Sequence, residues 1–153
     1  MTGFMTLFQK ELLRFLKVSL QTILAPIVAT LLYLLIFFHV LSAHVEVYPD
    51  IAYTQFLIPG LIIMAIVQNA FANSSSSLIQ SKMSGNIVFV LLSPLSYQEI
   101  FFAYILASVV RGLIVGAGVF LITLLFFEIP LHYPLWAILF AVIGSSMLGA
   151  LGL

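Results

Sequence analysis

The residues of this chain that could take part in chemistry are few and scattered. His39, His44, Glu46 and Asp50 fall near one another in sequence, but no spacing among them is diagnostic of metal ligation. An intramembrane enzyme needs paired acids, a Ser/His dyad or several histidines at one depth. Glu99, Glu128, His39 and His132 instead sit apart, each at the edge of an apolar segment. Cysteine is absent, which removes disulfides and thiolate metal sites. No GxxxxGK followed by Ser or Thr occurs, so ATP is not bound by a phosphate loop. The reading is therefore a chain with no catalytic residue, no metal site and no cofactor of its own. What remains is polar chemistry of another kind. Gln68, Asn69, Asn73 and Ser76 interrupt one apolar segment, Arg111 interrupts another, and a polar interval runs over residues 78–99.

Lipid is what positions these groups. Hydrophobic residues make up 63% of the 153 and charged residues only 7%, where soluble domains carry about 25% charged residues. With a mean hydropathy of +1.27, the apolar surface exceeds what a soluble core of this size can hide. The formal net charge is zero, which argues against nucleic acid as a partner.

The composition resolves into an all-α polytopic membrane bundle with four spans, at 20–41, 55–77, 108–127 and 135–153. Residues 4–17 read as an amphipathic interfacial helix, with Lys10, Arg14 and Lys17 on one stripe and Phe4, Phe8, Leu12 and Phe15 opposite. A simple basic flank of the first span is the plainer alternative. The apolar stretch at 20–41 is longer than the core of a cleaved signal peptide, so it reads as an uncleaved anchor. Pro26 within it is tolerated in a membrane helix. The interval 42–54 is a polar loop.

In the second span, Asn69, Asn73, Ser76 and Gln80 repeat at helical spacing. Amides in hydrocarbon need partners, so this face looks into the bundle, as packing contacts or as a wet pathway. The stretch 98–127 is about 45 Å long as a helix, against a hydrocarbon core of roughly 30 Å. The economical solution is that 98–107 runs along the interface and 108–127 crosses. Arg111 then sits near the boundary and snorkels, or serves as a buried functional cation. Gly112 and Gly116 form a GxxxG pair suited to close helix packing. The chain ends inside its fourth apolar segment without an interfacial flank, which suggests the front part of a longer protein.

The interval 78–99 has unequal pieces. Ser81, Lys82, Ser84, Gly85 and Asn86 make a hydrated turn, and 87–92 is a run of six apolar residues too short to span. Pro94 biases Ser93 away from helix, and Ser96 with Glu99 forms a capping box that restarts it. A short apolar helix between turns lies in the interface or docks on a partner. Lys10, Arg14, Lys17 and Lys82 fall on one side of the membrane, and the two opposite loops hold no Lys or Arg. That bias puts the N-terminus and 78–99 in the cytoplasm.

Five pieces, in order, resemble the permease subunits of type-2 ABC transporters, exporters of drugs, polysaccharides and lipid-linked polymers. They are KELLRFLK at 10–17, FLIPGLIIM at 56–64, QNAFANSSSSL at 68–78, GNIVFVLLSPLSYQEI at 85–100 and AYILASVVRGLIVG at 103–116. The resemblance implies six spans, of which four are present here, in a bacterial cytoplasmic (inner) membrane. It implies a cytoplasmic coupling helix that docks on a separate nucleotide-binding ATPase subunit, which binds the ATP. It also implies a second permease copy. The docking segment corresponds to 82–99, with Lys82, Gly85, Leu91, Pro94 and Glu99 as its marked positions. Family members often carry acidic character near Val88 and Phe89, where this chain is apolar. The alternative is a structural or assembly membrane protein without transport.

Overall fold

A segment in hydrocarbon must satisfy every backbone N–H and C=O within itself, so long apolar runs become helices. The computed structural model describes residues 2–41, 46–48, 51–126 and 133–153. In chain order these form α1 (Thr2–Lys17), α2 (Ser19–Leu41), β1 (Glu46–Tyr48), β2 (Ile51–Ala52), α3 (Tyr53–Met83), α4 (Ile87–Leu91), α5 (Tyr97–Phe126) and α6 (Pro134–Leu151). Four of them, α2, α3, α5 and α6, are long and apolar enough to cross a membrane, and the fold is an all-α polytopic bundle. The polar interval at 42–54 contributes a small antiparallel ribbon, in which Glu46 pairs with Ala52 and Tyr48 with Ile51. His44 and Asp50, like Glu128 and His132 of the other connection, lie outside the described residues.

The centre of the bundle is the pair α3 and α5, with α6 packed against both and α2 against both from another side. Glycine sets the distance between the central helices. A Cβ at Gly112 would stand 2.8 Å from the carbonyl oxygen of Ile66, and one at Gly116 would overlap the Ile66 side chain. Around this contact Ile27, Ala65, Val115 and Val119 form the apolar core.

Three features depart from the sequence-based expectation. First, α3 does not end at 77 but runs on to Met83, so Ser81 and Lys82 are helical and the turn shrinks to residues 84–86. The serine hydroxyls find acceptors without leaving the helix: Ser75 donates to the Phe71 carbonyl (3.0 Å) and Ser84 to the Gln80 carbonyl (2.8 Å). Second, α5 is one continuous helix from Tyr97, with no break at 107. Third, α1 does not float with all its cations outward. It packs on α5, where Leu7 joins Ala103 and Tyr104 in a second core cluster.

The lengths place the bundle in depth. α3 and α5 have 31 and 30 residues, about 45 Å each, and so exceed the hydrocarbon thickness by about 15 Å. Counting about 20 residues from the ends remote from the 84–96 connection, hydrocarbon gives out near Ala72 and Ala107. The last turns of α3, the first turns of α5 and all of α1 therefore belong to the headgroup level and beyond.

Candidate functional site

Two features occupy this level: a buried polar node under α1, and the α4 segment beside it. The node begins with Glu11. The buried stripe of α1 reads Leu7, Glu11, Phe15, successive residues four apart, so the carboxylate points into the bundle and is fully buried. Its Oε2 accepts from Ser77 Oγ at 2.6 Å and from Arg14 Nε at 3.1 Å. Its Oε1 has Lys10 Nζ at 3.5 Å. Arg14 then spans from α1 to α3. Its Nη2 donates to the Asn73 carbonyl (3.1 Å) and to Asn73 Oδ1 (3.2 Å), and its Nη1 reaches Gln80 Oε1 at 3.5 Å.

Asn73 is the hub. Its Oδ1 also accepts from Arg111 Nη1 of α5 at 3.3 Å, and its Nδ2 donates to Ser108 Oγ at 3.1 Å. Ser108 shares a 2.7 Å hydrogen bond with Ser74. Three helices are thus joined through one amide. Arg111 is buried, its guanidinium lies 5.8 Å from the centre of the Phe15 ring, and its Nε has no hydrogen-bond partner. It does not snorkel outward; the amide of Asn73 and the ring of Phe15 hold it inside. Among the described residues every ion pair ends on Glu11, so Arg111 has no carboxylate counter-ion there.

The polar stripe of α3 is divided. Asn73 is internal, Asn69 is spent on its own helix (Nδ2 to the Ala65 carbonyl, 2.9 Å), and Ser76 and Gln68 are exposed. Glu11, Ser77 and Ser108 escaped the sequence reading, which places Arg14 only on the outward cationic stripe. A signal existed for the first, since an acid centred between Leu7 and Phe15 lies on an apolar stripe. Among the described residues no three His, Cys, Asp or Glu side chains gather closely enough to hold a metal.

The second feature follows α3. Gly85 has φ 72°, in the left-handed region, and this turns the chain sharply into α4. None of the five residues of α4 is buried. Phe89, Leu91 and Leu92 keep 75%, 70% and 78% of their surface exposed, a density of free apolar surface that calls for a partner or lipid. Ser93 Oγ closes the helix on the Val90 carbonyl at 2.6 Å. Past Pro94 the capping box is formed: Glu99 Oε2 accepts from the Ser96 N–H at 3.0 Å, and the Glu99 N–H donates to Ser96 Oγ at 3.2 Å. Lys82 is exposed on the last turn of α3. A hollow of about 700 Å³ separates α4 from the start of α1, bounded by Leu7, Lys10, Phe89, Pro94 and Glu99. The α4 segment is therefore a short apolar projection, joined to α3 by a glycine turn and to α5 by a capped start.

Comparison with known proteins follows the same outline. The family described as ABC-2 type transporter matches residues 2–153. The inner membrane transport permease YadH of Escherichia coli strain K12 is 32% identical over 148 residues, which is 97% of this chain and 58% of that protein. The proteins of the same name from Escherichia coli O157:H7 and Shigella flexneri match equally. The chain thus spans little more than half the length of these relatives. No solved structure matches it.

Proposed function

The chain belongs to the ABC-2 type transporter family, and on that premise we propose that it is the membrane-spanning part of an ATP-driven exporter. In this reading ATP is bound and hydrolysed on a separate nucleotide-binding subunit. The permease pairs with a second copy in the bacterial inner membrane, with α1 and α4 on the cytoplasmic side. Its own residues do no covalent chemistry; they convert the movement of the partner into movement of helices.

The observation that carries this reading is α4. A five-residue apolar helix with no buried side chain leaves most of its apolar surface uncovered by the described residues. It stands where two long helices have already left hydrocarbon. Apolar anchors such as Phe89 and Leu91 seat in a groove of a partner, and neighbouring charges set register. Force applied at α4 passes through the capped Ser96 start into α5, and through Asn73 and Arg14 into α3 and α1. A rigid-body shift of these helices is the response such a linkage transmits.

The test is co-purification of the ATPase subunit with Leu91→Glu, in parallel with membrane yield. Leu91 is 70% exposed, so the variant is expected to insert normally and to lose the ATPase and export together. Retention of the ATPase with continued export would leave α4 a merely interfacial segment. Normal insertion with no ATPase bound to the wild type would favour the assembly-protein reading.

A further inference from the structure

A groove of about 1180 Å³ opens between the α1–α2 junction and α3, at the level where α3 leaves hydrocarbon. Arg14, Lys17 and Gln80 line it at the α1 end, Ala25, Pro26, Ala72 and the amide-bearing Asn69 line it farther along α2 and α3, and Arg111 lines it from α5. We propose that this groove is a binding site for an anionic phospholipid, with the phosphate held by Arg14 and Arg111 and the acyl chain along α2.

Charge is the first reason. Among the described residues Glu11 is the one buried carboxylate, and it already faces Lys10 and Arg14. Arg111 adds a buried guanidinium beside the partly exposed one of Arg14; it has no carboxylate partner among the described residues, and its Nε has no hydrogen-bond partner. An uncompensated cation at hydrocarbon depth is costly, and an anion delivered from the bilayer removes the cost. Guanidinium groups suit phosphate oxygens because they present several N–H donors in a fixed plane. Arg14 and Arg111 both converge on Asn73 Oδ1, so the two planes are held close together before any ligand arrives.

Shape is the second reason. The groove runs from a cationic mouth at headgroup level, past Gln21 and Thr22, to Ala25 and Pro26 of α2, so its polarity falls along α2 in the order of a lipid. A soluble phosphate would satisfy the mouth alone. The inference is independent of ATPase coupling, since its readout is retained lipid and not export.

The experiment is native mass spectrometry of the full-length protein, extracted from vesicles of equal phosphatidylglycerol and phosphatidylcholine. Wild type is expected to retain phosphatidylglycerol over phosphatidylcholine by at least about fivefold, the factor that one basic residue near the surface supplies. Arg111→Gln, which can keep a hydrogen bond to Asn73, is expected to bring the two lipids to near parity. Gln80→Glu is the second variant, because it gives Arg14 a carboxylate partner at an exposed position without emptying the node. It should lower the preference by a similar factor. Equal retention of both lipids by wild type overturns the proposal, as does an undiminished preference in Gln80→Glu. Displacement of the lipid by millimolar inorganic phosphate would show a phosphate site without lipid specificity. Absence of lipid together with cross-linking of Ser76→Cys between two copies would assign the groove to the second subunit.

Discussion

Glu11 offers the sharpest test of the node. Glu11→Leu keeps the stripe of α1 apolar but removes three interactions, of which the 3.5 Å contact with the exposed Lys10 contributes least. The Ser77 bond, at 2.6 Å to a buried carboxylate, is charge-assisted, and such bonds contribute about 1.5–3 kcal/mol. The Arg14 pair is weaker, because the Arg14 side chain keeps 23% of its surface in solvent, and partly exposed pairs contribute about 1 kcal/mol or less. Together these give an expected loss of about 2–4 kcal/mol. The more decisive quantity is coupling. With Glu11 gone, Arg14 remains half-inside beside Arg111 with nothing to balance it, so also removing Arg14 should cost less than its single substitution predicts. A double-mutant cycle of Glu11→Leu and Arg14→Leu should give a coupling of about 1–3 kcal/mol, read by reversible unfolding in an SDS titration of mixed micelles. Additive losses, agreeing to within about 0.5 kcal/mol, would refute the node as an energetic unit. So would a Glu11→Leu protein as stable as wild type.

Other expectations follow from the same geometry. Gly112→Ala places a Cβ 2.8 Å from the Ile66 carbonyl oxygen, and overpacking of this kind costs about 1–3 kcal/mol; Gly60→Ala, also within α3 but with nothing within 4 Å of its added Cβ, is the clash-free control in the same titration and is expected to lose no stability. Cysteine at Ser76 or Gln80 should react with hydrophilic thiol reagents, whereas cysteine at Asn73, which is 1% exposed, should not; equal reactivity would contradict the division of the stripe. A reporter fused after Lys82 should read cytoplasmic and one after Asp50 external, given the placement of Lys10, Arg14, Lys17 and Lys82 on one side; a cytoplasmic signal after Asp50 would invert the proposed topology.

The parts of this fold that are legible in the sequence are those where one local rule suffices. Hydropathy alone locates four apolar helices, because lipid leaves the backbone no alternative. The Ser96–Glu99 spacing announces a helix start that the side chains then build. The Gly85 turn is legible too, since a glycine after the polar end of α3 and before an apolar run is where a left-handed residue belongs. The end of α3 is not legible by the same means. Residues 78–83 open the polar interval and read as the start of a loop, but the backbone ladder of α3 continues through them to Met83.

The inward turn of Glu11 and Arg14 on α1 has a different physical origin, and it bears on function. An amphipathicity argument assigns every charge to the water face, so Lys10, Arg14 and Lys17 outweigh a single Glu11. That assignment assumes one polar side and one apolar side. At the level where α3 and α5 emerge from hydrocarbon, the environment of α1 has three sides: lipid, water and the polar ends of two helices. Glu11 answers to the third, through Ser77 and Arg14, and a charge pattern along one helix cannot report it. Ser77 is 66 residues from Glu11, Asn73 is 59 from Arg14, and Ser108 is 35 from Asn73. An interfacial helix held by lipid alone would slide when the bundle moves. One whose carboxylate and guanidinium are committed to α3 must move with it, and the proposed motion of α4 then reaches the membrane surface as well as the spans.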